Sequence, residues 1–341
     1  PMRNETRLVF TALQTRIAQL NGVAAADVKF TVAPSVQQTL ENKLQLSSGF
    51  LSRINIVPVL EQSGEKLQLG TTGTIASRTN TSTTDRAPAD PTELYANDYA
   101  CKQTNFDTAL KYSKLDMWAK FPDFQTRFRD VTVKQQALDR IMIGWNGTSA
   151  AVATDRATNQ LLQDVNIGWL QHIRTDAPAH WMKEVVAASG AVTVGEGWDY
   201  ENLDALVMDV TENLIDEAAR DDTNLVVICG RALLADKYFS KVNRKQGAAD
   251  ELASDIIVSK KQIGGLEAVR VPFFPANALL VTTLDNLSIY YQEGKRRQQL
   301  VDNPKRDQIE NYESSNDAYV VEDYGITALV ENIVIKTTAA P

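Results

Sequence analysis

At 341 residues, 43% apolar and 23% charged, the chain carries enough apolar material for a sizeable core and falls outside the compositions of wholesale disorder, collagen and membrane proteins. Its 35 Lys and Arg against 43 Asp and Glu leave a formal charge of -8, which disfavours a sequence-independent grip on DNA, since that needs clustered cations to neutralise phosphates. The length points to about two domains with extensions, and apolar runs such as Leu225 to Cys229 are too short to cross a membrane as a helix.

The polar start, with Arg3, Glu5 and Arg7 close together, has no apolar signal segment, so export is not expected, and Pro1 ahead of Met2 reads as a residue left by tag removal. Val9, Leu13, Ile17 and Leu20 recur at helical spacing, and Asn21-Gly22 supplies a stop. This predicts a self-contained amphipathic helix over residues 4–20, a small-residue linker over 23–27, and an arm that begins after Ala33-Pro34. Residues 35–51 have weaker helical character through Val36, Leu40, Leu44 and Phe50, and residues 53–59 are β-branched and strand-like. The tract 74–91 has almost no large apolar residue, so it cannot bury a face of its own and must be disordered or held from outside its subunit. Residues 61–98 therefore read as a long two-stranded projecting loop, with 99–110 returning to the body.

A short helical turn is predicted over 114–120, and Pro122-Asp123 opens a long helix. Its apolar stripe would be Phe124, Phe128, Val131, Leu138, Met142 and Trp145, with Asn146-Gly147 as the end. Beyond a polar connection lie Leu161-Leu162, Trp169-Leu170 and a break at Pro178, then a helix over 203–219. A strand over 224–229, a turn at Gly230 and a helix over 232–239 follow. Short strands are expected at 268–272, 279–283, 288–291, 309–314, 319–323 and 327–335. The class is α+β with segregated elements, not a βαβ series.

The chemistry-bearing residues form no catalytic, cofactor or metal constellation. Cys101 and Cys229 lack partners at metal-ligand spacing and read as reduced thiols. Gly70 to Gly73 lacks the Gly-Lys-Ser/Thr of a phosphate loop, Gly230 stands without the other two glycines of a dinucleotide fingerprint, and Gly147 to Ala151 lacks the closing glycine of a nucleophile elbow. His172 and His180 are eight apart with Pro178 between them, the wrong geometry for two ligands on one helical face. Lys295-Arg296-Arg297 is the one tight basic cluster, read as a solvated turn or an inter-subunit salt-bridge contact, and Asp221-Asp222 as a turn.

Several blocks resemble the major capsid proteins of Peduovirus-type temperate phages. They are Met2-Arg3-Asn4-Glu5-Thr6-Arg7, Arg53-Ile54-Asn55-Ile56-Val57-Pro58-Val59, residues 161–170 and 224–237, Val269-Arg270-Val271-Pro272-Phe273-Phe274-Pro275, Asn286-Leu287-Ser288-Ile289-Tyr290-Tyr291 and Glu310-Asn311-Tyr312-Glu313-Ser314. The resemblance implies a Hong Kong 97-type fold divided into an N-terminal helix, linker and arm (1–52), an extended loop with flanking strands (53–110), a peripheral domain with a spine helix (111–196), an axial domain (197–292) and return strands (293–341). It implies a virion shell of pentamers and hexamers, assembled in the bacterial cytoplasm, that encloses double-stranded DNA without reading its sequence. A scaffold, a protease and a portal protein would be partners, with no membrane and no cofactor. It also implies removal of the first thirty or so residues, with the match pointing to a cut at Phe30-Thr31. The competing reading is a soluble enzyme or nucleic-acid-binding protein with a site near Gly230 or Lys295.

Overall fold

The computed structural model describes residues 2–71, 76–83, 85, 86, 88, 92–118, 124–234 and 262–336. Helix α1 (Asn4–Asn21) stops at Gly22, which takes a left-handed φ of 64° while the N–H groups of Gly22 and Val23 reach the carbonyls of Gln19 and Ala18. It is not self-contained, in contrast to the expectation. Met2 and Phe10 pack with Tyr112, Leu115, Leu300 and Ile309, and Thr6 donates to Asp116 at 2.6 Å. Leu20, expected on the buried stripe, is 56% exposed.

The small-residue linker leads into β1 (Phe30–Thr31), with Phe30 buried beside Ala26 and Val32. Helix α2 (Pro34–Leu46) opens on a proline, whose missing N–H would have been an orphan donor in any case. Its buried residues Gln37, Glu41 and Leu44 share one face, and two of them are polar.

After β2 (Asn55–Val59) the chain forms a hairpin, β3 (Ser63–Thr71) with β4 (Thr92–Ala100), in continuous antiparallel register from Ser63 opposite Ala100 to Thr71 opposite Thr92. Residues 74, 75, 84, 87 and 89–91 of the 74–91 tract lie outside the described residues. Of the part that is described, Asn80 sets a turn in which its side chain accepts from the Ser82 N–H at 3.1 Å. Strands β5 (Lys102–Asn105) and β6 (Thr108–Lys111) and helix α3 (Tyr112–Trp118) return to the body.

The long helix α4 (Phe124–Asn146) is present, but its buried face is in a different phase from the predicted stripe. Val131 is 69% exposed and Leu138 and Met142 are half-buried; Trp145 is buried as expected, but the rest of the buried face includes Val133, Gln136, Ala137, Arg140 and Ile141. The side chains of Phe124 and Phe128 lie outside the described residues. The periodicity misled because two of the buried positions are polar, so an apolar count was drawn to the wrong residues.

Helix α5 (Trp169–Asp176) lies against α4 at glycine contacts. A Cβ on Gly168 would sit 2.4 Å from the Gly144 carbonyl oxygen, and one on Gly144 would sit 2.2 Å from the Trp169 ring, so only glycine permits this approach. Around it Trp145 and Trp169 meet at 4.9 Å between centroids, Trp145 and Phe274 at 5.0 Å, and Trp169 and Tyr319 at 5.3 Å, all near edge-on.

Strands β7 (Trp181–Met182) and β8 (Val192–Val194) precede α6 (Leu203–Leu214), whose first turn is capped by Asn202 accepting from the Ala205 N–H. This helix ends earlier than the predicted 219, and a separate short turn covers Glu217–Ala219. Then come β9 (Val226–Cys229), β10 (Gln262–Ile263), β11 (Leu266–Val269) and β12 (Leu279–Thr282). Of the helix expected over 232–239, residues 235–239 lie outside the described residues. The remaining strands are β13 (Leu287–Gln292), β14 (Arg297–Asn303), β15 (Gln308–Val321), β16 (Ala328–Val330) and β17 (Ile333–Ile335).

One sheet runs β10-β11-β9-β12-β16-β7, and a second runs β1-β14-β15-β13-β2 with β5 and β6 also paired to β15. Strand alternation splits the core. Val226, Ile228 and Leu280 face the cluster that contains α4, α5 and the tryptophans, whereas Val227, Cys229, Leu279 and Val281 face the cluster under α6. The six-stranded sheet is therefore apolar on both faces, which is why β9 and β12 read as unbroken apolar runs.

Candidate functional site: the buried charge junction

The two strands predicted at 309–314 and 319–323 are one 14-residue strand, β15. Residues 314–317 are polar without interrupting the strand: Ser315 and Asp317 face an ion cluster in the interior, and Asn316 donates to Gln292 at 2.8 Å. Arg140 on α4 is fully buried and lies between two carboxylates. Its Nε and Nη2 donate to Asp317 on β15, each at 3.1 Å, and Nη1 and Nη2 donate to Glu41 on α2, the latter at 3.2 Å. Arg296, in the turn before β14, donates to the other side of Glu41 at 3.2 Å, to Gln136 at 2.8 Å and to Glu313 at 2.9 Å. Gln136 donates in turn to Glu313 at 2.9 Å, and Ser315 to Asp317 at 3.0 Å.

Two guanidiniums and three carboxylates thus join α2, α4, the start of β14 and β15. Burial pushes the Glu41 carboxyl up, but the attraction and hydrogen bonds of Arg140 and Arg296 outweigh it and hold Glu41 below the ordinary glutamate range. At Asp317 burial wins, aided by the Glu41 charge and opposed by the two arginines, and the carboxyl is raised. Burial alone would favour a neutral Arg140, yet Asp317 and Glu41 keep it firmly charged.

Lys295-Arg296-Arg297 is therefore not a solvated cluster. Lys295 and Arg297 are exposed, and Arg296 between them is buried against carboxylates of its own subunit. Gly230 is a packing position, where a Cβ would sit 2.2 Å from the Ala276 carbonyl oxygen. Neither offers a ligand site. His172 pairs with Asp176 at 2.9 Å, His180 meets the Leu214 carbonyl, and Asp222 accepts from the Asn224 N–H at 2.8 Å as a turn residue. Phe30 and Thr31 lie in β1, opposite Gln298 and Arg297 of β14.

Cys101 is buried close to Asp317. Burial, and then the Asp317 charge, push its thiol up to about 12. Its thiol form is favoured by folding, a contribution present at neutral pH and lost as pH rises through that value. Iodoacetamide in mildly alkaline buffer is expected to leave Cys101 unmodified in the native protein and to alkylate it in urea. Native alkylation at the unfolded rate, read by peptide mass, would show that the site opens.

The junction ties α2, α4, the start of β14 and β15 together through buried ion pairs, and the similarity to known proteins spans the same elements and the rest of the chain. A family model for phage major capsid proteins of the P2 family covers residues 9–333. The chain belongs to that family. The capsid subunit is 53% identical to the capsid proteins of Escherichia phage P2 over 100% of its own length and 98% of theirs. It is 40% identical to the major capsid protein of Serratia phage KSP20, over 97% of each chain. Among solved structures it is similar to a chain of the satellite phage P4 procapsid that includes the size determination (Sid) protein, with 50% identity, a TM-score of 0.80, and coverage of 98% of this chain and 99% of that one. The capsid of an empty GTA particle, at 15% identity and a TM-score of 0.53 over 84% and 90% of the two chains, shares the fold alone. The α+β architecture is the Hong Kong 97-type capsid fold, and the subunit is a structural component of the virion head shell, not an enzyme.

Sequence reasoning missed the junction. The available signal was Arg140, a cation set among Ala137, Ile141 and Gly144, together with an acidic residue at Glu41 on a helix with few apolar positions.

Proposed function

We propose that the subunit assembles as pentamers and hexamers into an icosahedral shell around double-stranded DNA, with a scaffold, a protease and a portal protein as partners. The observation that carries this is end-to-end similarity to phage P2 capsid proteins at 53% identity. A net charge of -8 suits a container that does not grip its contents. The relative in the P4 procapsid stands beside a size determination protein, so a partner that sets shell size belongs to the same reading.

In this reading residues 1–52 supply the N-terminal helix and arm, 53–110 the extended loop, 111–196 a peripheral domain with α4 as spine, 197–292 an axial domain and 293–341 the return strands. The position of α6 and β9 to β12 within 197–292 supports it. The β3–β4 hairpin and the apolar-poor tract beyond it would lie on neighbouring subunits. The helix α1 would serve assembly and then leave by scission at Phe30-Thr31. Because that bond sits in β1 against β14, scission requires β1 to detach first.

Coexpression with cognate scaffold and protease tests both parts. Closed shells are expected in negative-stain images, with an N-terminus at Thr31 by intact mass. Only small oligomers would overturn the shell reading, and mature shells that retain residues 2–20 would overturn the processing reading.

A further inference from the structure

The β3–β4 hairpin is a sheet of its own, and something has to fix its direction relative to the body. Its root packs on a small cluster in which Cys101, Tyr290, Ala318 and Val320 are buried and Val57, Val59 and Tyr99 lean against them. Apolar packing of this size resists separation but not rotation, since it has no direction. Directional contacts come from Lys66, on β3. Its Nζ lies 2.6 Å from Glu322 Oε2, just past the end of β15, and also donates to the Glu322 carbonyl oxygen. Glu322 is itself anchored. Its N–H donates to the Asn286 carbonyl at 2.8 Å, and its carboxylate accepts from Tyr290 on β13 at 3.0 Å. Tyr290 in turn meets Tyr99 of β4 edge-on at 5.2 Å. Both strands of the hairpin are thus tied to one fixed point on the body.

We infer that Lys66 is a positioning residue: its pairing with Glu322, buttressed by Tyr290 and Tyr99, sets the angle at which the hairpin leaves the seven-stranded sheet. Beyond Lys66 the β3 strand continues to Thr71, a lever of about 17 Å, so a small rotation at the latch becomes a displacement of several ångströms at the far end. The Lys66 and Glu322 side chains are 16% and 26% exposed, buried enough to be directional and exposed enough to be exchanged without leaving a sealed charge. The consequence for shells, that neighbours receive the hairpin in one orientation, rests on the reading that the hairpin lies on them.

The test is a distance measurement that does not depend on that reading. Spin labels on Thr71→Cys, at the far end of β3, and on the exposed Val152→Cys report the hairpin against the body by double electron–electron resonance, with labelled full-length chains diluted in unlabelled ones. The wild-type pairing should give a narrow distribution. Lys66→Met and Glu322→Gln should each broaden it about twofold with little change in urea midpoint, as expected when a hinge restraint and not the core is lost. The charge swap Lys66→Glu with Glu322→Lys should narrow it again. Wild-type width in both single variants would overturn the inference. So would a collapse of the urea midpoint in both, since the pair would then hold the fold and not the angle.

Discussion

Arg140→Met is expected to destabilise the subunit by about 3–5 kcal/mol, because it leaves Glu41 and Asp317 buried with their shared cation gone. A loss of that size is a large fraction of the stability of a typical domain, so the variant should accumulate as insoluble or proteolysed chain at the growth temperature. Its pH response should have the opposite sign from the wild type. With Arg140 present, Glu41 is held below its ordinary range, so its contribution is present at neutral pH and is lost as pH falls through its lowered folded value. Asp317 is raised, so its strain is relieved by acid and delays that loss. Without Arg140, Asp317 loses its nearest cation and favours the protonated form still more, while Glu41 keeps only Arg296, so stability should rise as pH falls from neutral into the mildly acidic range. Neutralising the acids as well, in Glu41→Gln/Arg140→Met/Asp317→Asn, should recover much of the loss. Urea midpoints across pH are the measurement. A neutral-pH midpoint for Arg140→Met within error of wild type would mean that the junction is hydrated and worth little.

Trp169→Ala should cost about 3–5 kcal/mol, since Trp169 is fully buried, lies edge-on to Phe50, Trp145 and Tyr319 and donates from Nε1 to the Ser288 carbonyl at 2.9 Å. Gly144→Ala alone should also be destabilising, because the new methyl enters the space of the Trp169 ring. The two changes should not add. Once the indole is gone the methyl fits into the vacated space, and alanine in place of glycine then favours the helix by up to about 1 kcal/mol. The double variant should therefore equal or exceed Trp169→Ala in stability. Additive losses in the four-variant cycle would show that α4 and α5 do not meet through this ring.

The sequence by itself determined a good deal about this subunit. Apolar spacing, the Gly22 stop, the Pro122-Asp123 entry and the Asn146-Gly147 end located α1 and α4 to within a residue or two, because caps and periodicity act locally and leave local marks, whereas α2, expected only as weak helix over 35–51, ends already at Leu46. The runs at 224–229 and 279–283 marked strands, and the resemblance of whole blocks led to the capsid family.

Only the tertiary structure decided where charge is buried. Arg296, in the short basic run 295–297, read as a solvated turn or an inter-subunit contact, and the polar residues between the strands expected at 309–314 and 319–323 read as a break. Both became interior when Glu41, Arg140, Glu313 and Asp317 arrived from α2, α4 and β15 to satisfy one another. The same convergence shifted the buried face of α4 away from Val131. A buried ion pair lowers its energy only through a partner brought from far along the chain, and no window of neighbouring residues contains that partner.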